Sequence, residues 1–90
     1  MTNETIRLAE YAATLRYDDL PTDVIQRAKD CITDTVAVII LGSRLPWSRI
    51  VANYAQRVGA GGHCRILGVD GSAVQAPAAA LANGTLAHAF

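Results

Sequence analysis

Apolar residues recur at helical spacing along this chain, and a proline or a glycine follows each run. The first run predicts a helix that Thr2 or Asn3 caps and that continues to about Arg16. The second run predicts a longer helix that begins near Thr22 and stops at Gly42. Because the residues just before Gly42 are all apolar, we expect the end of this second helix to be buried on all sides.

A third helix is expected to open at Pro46, since proline prefers the first position of a helix, and to end at the glycine-rich residues 59–62. Trp47 and Tyr54 keep helical spacing in this segment, and we expect them to serve packing. Residues 64–74 combine short extended stretches with turn-forming residues. The sequence therefore predicts a connector or one small β-hairpin there.

The end of the chain is rich in alanine and carries the residues best suited to chemistry. Pro77 starts a predicted helix that Asn83-Gly84 interrupts, because this pair readily leaves helical geometry, and the helix resumes over residues 85–90. Histidine is the side chain that acts most often as a general acid or base, which makes His88 a candidate. From the residues alone, two interpretations stay open: a ligand site at the break, or a helix kink followed by a structural histidine.

The composition fits a packed helical domain, with 51% apolar and 18% charged residues. We predict an all-α fold, mostly helical, with four to five helices and at most one short β-hairpin near residues 64–74. Residues 1–90 are expected to form a single partial domain. So short a domain has too little charge to cover its surface, so we expect apolar surface to meet another subunit or further chain.

Charge and patterning argue against several classes of function. The net charge is zero, so the chain lacks the excess of basic residues that nucleic-acid binding requires. The longest apolar run, residues 36–41, is too short to span a membrane, and no signal peptide opens the chain, so a cytoplasmic location is expected. The cysteines and histidines match no metal-ligand spacing, so no metal site is expected.

Several segments, taken together, resemble the MmgE/PrpD family. Residues 8–12 and 20–25 are similar to the opening of that family, and residues 28–36 are similar to its following helix. Residues 79–88 resemble its most specific early motif, an alanine-rich helix that reaches an Asn-Gly pair and then a histidine. The resemblance covers essentially the whole chain, in the order of the family.

This resemblance implies a lyase that acts on a small polycarboxylate, first of all a 2-methylcitrate dehydratase-like hydro-lyase. The family also includes a cis-aconitate decarboxylase and an iminodisuccinate epimerase, so both of those reactions remain alternatives. It further implies a homo-oligomer without a cofactor, in which a large helical domain meets a smaller α+β domain. The 90 residues would then be the amino-terminal segment of the helical domain, inactive in isolation.

The resemblance also places His88 at the edge of the active site as the catalytic candidate, with Asn83 and Thr85 as substrate-binding candidates. No lysine or arginine follows Arg65 in the sequence, so the cations that hold substrate carboxylates are expected from elsewhere. One hypothesis of another class stays open, a non-catalytic helical module that packs on a partner protein. The low charge at the end of the chain favours it.

Overall fold

The computed structural model describes residues 3–89 and shows a mostly helical chain. In order it contains α1 (Asn3–Thr14), a short 3₁₀ helix (Tyr17–Asp19), α2 (Thr22–Gly42), α3 (Ser48–Val58), β1 (Ala60–Cys64) and α4 (Ala76–Leu86). The predicted all-α class is therefore confirmed, while Thr2 and Phe90 lie outside the described residues. Over residues 3–89 no helix is both long enough and apolar enough to cross a membrane.

The first two helices begin and end close to their predicted positions. α1 ends at Thr14, slightly before the predicted end at Arg16. The carboxylate of Asp19 then accepts a hydrogen bond from the backbone N–H of Arg16 at 3.1 Å, which stabilises the short 3₁₀ helix between α1 and α2. The carbonyl of Pro21 accepts the N–H of Val24 at 3.1 Å and so opens α2.

The chain divides within α2 into two compact units, one up to Asp30 and one from Cys31 onward. In the first unit α1 has no buried residue, and its apolar stripe remains exposed. Leu8 is 71% exposed and Tyr11 is 61% exposed. The apolar side chains of α1 are therefore exposed in this unit.

The core of the second unit forms where α3 packs on α4. Ala55 of α3 and both Ala82 and Leu86 of α4 are completely buried. Because alanine side chains are short, they let these two helices approach closely. The buried cluster consists of Ile39, Ala55, Ile66, Val74, Ala78, Ala79, Ala82 and Leu86.

The apolar end of α2 is buried on one side only, so the prediction that it is buried on all sides was wrong. Ile39 belongs to the core and is 7% exposed, whereas Ile40 is 41% exposed and Leu41 is 59% exposed. The reason is that the core cluster meets a single face of α2. Side chains on its other faces, such as Val36, are exposed.

The strand lies earlier in the chain than the predicted hairpin. The glycines at 59–62 were expected to form only a turn, yet most of them belong to β1. Val74 forms antiparallel bridges with both ends of this strand. Gly62 lies so close to the carbonyl of Val74 and the N–H of Gln75 that a Cβ atom would not fit. Glycine is therefore required by a contact between distant residues rather than by a local turn.

α4 passes through Asn83-Gly84 without the predicted break, so that prediction was wrong. Gly84 lies inside the helix and does not adopt a positive φ. The N–H of Ala87 donates to the carbonyl of Asn83 at 3.0 Å, which continues the helical pattern to the end of α4. Packing of the α4 alanines in the core compensates for the weak helix propensity of the Asn-Gly pair.

Candidate functional site

An open groove of about 530 Å³ lies between α3 and the end of α4, and two of the three predicted site residues line it. Thr85 and His88 come from the α4 side, and one face of α3 forms the other side. The lining residues are Trp47, Ser48, Ile50, Val51, Tyr54, Thr85, His88 and Ala89. None of these carries a carboxylate, an amine or a guanidinium. Across residues 3–89, no three histidine, cysteine or acidic residues are grouped to hold a metal ion.

His88 occupies the turn that directly follows α4, and its side chain is exposed. Its backbone N–H donates to the carbonyl of Thr85 at 3.1 Å, which fixes the course of the chain at this point. Within the described part of the chain, the imidazole has no hydrogen-bond partner. Both ring nitrogens are therefore open to a ligand in the groove, and an imidazole can either donate or accept a proton there.

The hydroxyl of Thr85 is also at the groove, but its proton is already used. Thr85 Oγ1 donates to the carbonyl of Leu81, one helical turn earlier, at 2.8 Å. The oxygen keeps lone pairs that can accept a hydrogen bond. Toward a ligand, Thr85 is therefore an acceptor in this arrangement, unless its hydroxyl rotates away from Leu81.

Asn83 faces the connector after β1 and does not line the groove. Its Oδ1 accepts the backbone N–H of Leu67 at 2.9 Å, and its Nδ2 donates to the carbonyl of Arg65 at 3.0 Å. The amide thus holds the connector against α4. One N–H and one lone pair remain available, because a carboxamide offers two donors and two acceptor sites. The structure brings Thr85 and His88 together in the groove and places Asn83 outside it, against the connector.

The end of α4 is anchored to the turn between α2 and α3. The indole Nε1 of Trp47 donates to the carbonyl of Ala89 at 2.9 Å. The buried hydroxyl of Ser48 donates to the carbonyl of Gly42 at 2.6 Å. Gly42 itself lies against the carbonyl of Leu86 with no room for a side chain. These contacts flank His88 and hold its backbone in place.

Sequence reasoning missed this anchor. Trp47 and Tyr54 were expected to serve packing, yet they are 57% and 48% exposed and line the groove. The available signal was the spacing of Trp47, Ile50 and Tyr54, which places these residues on one side of α3 and the turn before it. The hydrogen bond from Trp47 joins residues far apart in the chain, which local spacing does not reveal.

Comparison with known proteins agrees with the resemblance of the motifs. A cis-aconitate decarboxylase-like protein of Aspergillus oryzae is 33% identical over 87 residues, which are 97% of this chain and 18% of that protein. A cis-aconitate decarboxylase of Aspergillus terreus is 34% identical over 85 residues, which are 94% of this chain and 17% of that protein. The chain thus spans less than a fifth of the length of these relatives. No solved structure is significantly similar. The family model described as the MmgE/PrpD N-terminal domain matches residues 6–90, and the chain belongs to that family.

Proposed function

We propose that this chain is the amino-terminal part of the helical domain of a lyase that acts on a small polycarboxylate. The observation that carries the proposal is the exposed imidazole of His88, which has no described partner and lies beside Thr85 in one groove. Membership of the family and the names of the relatives support the same class of reaction.

Two reactions within this class differ in the bond that breaks. In decarboxylation the bond to a carboxylate carbon breaks, carbon dioxide leaves, and the electron pair left on carbon takes up a proton. In dehydration a base removes a proton next to a carboxylate, and the hydroxyl leaves with a proton as water. The resemblance to the family implied dehydration of 2-methylcitrate first. The names of the relatives favour decarboxylation of cis-aconitate, which we therefore place first.

In either reaction His88 transfers a proton at the reacting carbon or at the leaving group. Thr85 accepts a hydrogen bond from a substrate hydroxyl or carboxylic acid through its free lone pairs. Substrate binding by Asn83 stays a prediction, which its remaining N–H permits. The groove is mostly apolar and has no lysine or arginine, so the cations that neutralise substrate carboxylates come from residues that do not line it.

A chimera tests the proposal directly. In the cis-aconitate decarboxylase of Aspergillus terreus, the stretch that matches this chain is replaced by the chain itself. We expect the purified chimera to release carbon dioxide from cis-aconitate, because the chain supplies an equivalent part of the helical domain. We expect the 90-residue chain alone to be inactive.

The same preparations are assayed with 2-methylcitrate. Water loss from 2-methylcitrate without carbon dioxide release from cis-aconitate would move dehydration to first place. A chimera with the circular dichroism and oligomeric state of the parent enzyme, yet without either activity, would contradict the lyase proposal. Turnover by the 90-residue chain alone would contradict the claim that it is incomplete.

A further inference from the structure

A second cavity, of about 610 Å³, lies along a face of α3 that differs from the face at the groove. On α3 it is lined by residues that recur every three or four positions, among them Arg49, Asn53 and Gln56, which places them on one side of the helix. The turn before α3 contributes Arg44, and the connector contributes Asp70. We call this cavity the arginine cleft. Its lining is mainly polar, in contrast to the groove.

The walls of the arginine cleft are held by hydrogen bonds between its two sides. Gln56 Nε2 donates to the backbone carbonyl of Asp70 at 2.8 Å. The hydroxyl of Ser43 lies 2.5 Å from the carbonyl of Ile40 and 3.3 Å from that of Gly68. The connector is thereby fixed against both α3 and the end of α2. The cleft is therefore a formed feature of the fold rather than a gap between loose segments.

The guanidinium groups of the two arginines of the cleft have no partner over residues 3–89. The side chains of Arg44 and Arg49 form no hydrogen bond or ion pair there, and both are exposed. The carboxylate of Asp70 is likewise unpaired, so the cleft holds two positive charges and one negative charge. Asn53 adds a free amide beside them. A guanidinium binds carboxylate and phosphate oxygens in a planar, bidentate geometry, which suits both kinds of anion.

We propose that the arginine cleft binds a small multivalent oxyanion, carrying carboxylate or phosphate groups, through Arg44 and Arg49. The site does not depend on the lyase proposal, because neither Thr85 nor His88 lines it. Binding is weak, with a Kd of about 1 mM, since solvent and salt screen exposed arginines.

The test is a titration of the isotopically labelled 90-residue chain, followed by the NMR shifts of its backbone amides. Citrate supplies carboxylates, inorganic phosphate supplies phosphate oxygens, and sodium chloride at equal ionic strength supplies neither. We expect saturable shifts at Arg44, Arg49, Asn53 and residues 68–70 with citrate, phosphate or both, and none with chloride. The amides of Thr85 and His88, which line the groove, should not shift. The anion that saturates identifies the source of the oxyanion.

Variants locate the site. The pair Arg44→Gln and Arg49→Gln should weaken binding at least about tenfold, whereas the pair Arg27→Gln and Arg57→Gln should leave it within about twofold. Both pairs remove the same charge, but Arg27 and Arg57 lie outside the cleft.

His88→Ala should leave binding unchanged, which separates this site from the groove. Equal losses in both arginine pairs, loss of binding in His88→Ala, or no saturable shift with either anion would overturn the proposal.

Discussion

Asn83 shows how one side chain joins two parts of the second unit. It ties the carbonyl of Arg65 and the N–H of Leu67 to α4. Replacing Asn83 with Ala should lower the free energy of unfolding by about 1–2 kcal/mol, because the half-buried N–H of Leu67 loses its partner. Urea denaturation monitored by circular dichroism measures the change. The matched control is Asn53→Ala on the exposed side of α3, which should change stability little. Equal effects of the two substitutions would contradict the role of Asn83 in holding the connector against α4.

Trp47 is the second residue with a specific structural task. Trp47→Phe keeps an aromatic ring in the groove but removes the donor to the Ala89 carbonyl. We expect a loss of about 1 kcal/mol in unfolding free energy, since this hydrogen bond anchors the end of α4. Tyr54→Phe is the control, because the Tyr54 hydroxyl has no partner over residues 3–89. A Trp47→Phe variant as stable as the control would mean that the indole does not anchor α4.

At the scale of helices, two glycines in helical positions should respond in opposite directions to alanine. At Gly84 a Cβ meets nothing within 4 Å, so Gly84→Ala should raise stability by about 1 kcal/mol through helix propensity. At Gly42 a Cβ collides with the carbonyl of Leu86, so Gly42→Ala should lower stability by about 1–3 kcal/mol. Thermal unfolding of both variants shows whether each substitution raises or lowers stability. Destabilisation by Gly84→Ala would indicate that α4 breaks there after all.

Local signals explain which elements could be predicted. α2 begins at Thr22 and α4 begins beside Pro77, as expected, because caps and prolines act within one turn of the chain. The strand and the unbroken α4 could not be predicted in the same way. β1 depends on the close approach of Gly62 to Val74, and Asn83 uses its amide on a distant connector. Such long-range contacts produce no periodic pattern of residues in a single sequence.

The candidate site was predictable to a similar extent. The alanine-rich motif led to His88 and Thr85, and the fold brings both to one groove. The motif also made Asn83 a substrate-binding candidate, which stays a prediction; in the structure its amide is bonded to the connector. The arginine cleft could not be predicted from the sequence, because Arg44, Arg49 and Asp70 come from separate segments. Their proximity follows from the connector folding back onto α3.

At the scale of the whole molecule, many large apolar side chains remain exposed in each unit. Leu8 is 71% exposed in the first unit, and Ile32 is 65% exposed in the second. Exposed apolar surface of this extent drives association. We therefore expect the 90-residue chain to self-associate as its concentration rises, in line with the predicted homo-oligomer. Sedimentation velocity measures this.

Substitutions test the cause of that association. Leu8→Glu with Ile32→Glu should shift the chain toward monomer by removing apolar surface. Thr33→Glu with Ala80→Glu adds the same charge at exposed positions without removing a large apolar side chain. This control pair should shift the chain toward monomer less than Leu8→Glu with Ile32→Glu. A wild-type chain that remains monomeric at every concentration would count against both the homo-oligomer and a helical module that needs a partner.

We propose that His88 transfers a proton in a lyase that contains this chain. The most direct measurement is the kcat of the chimera carrying His88→Ala, compared with His63→Ala, whose imidazole is also exposed but lies on β1 away from the groove. We predict that kcat falls by about 100-fold or more for His88→Ala and stays within about twofold for His63→Ala. A folded His88→Ala chimera that keeps the kcat of the His63→Ala control would contradict the claim.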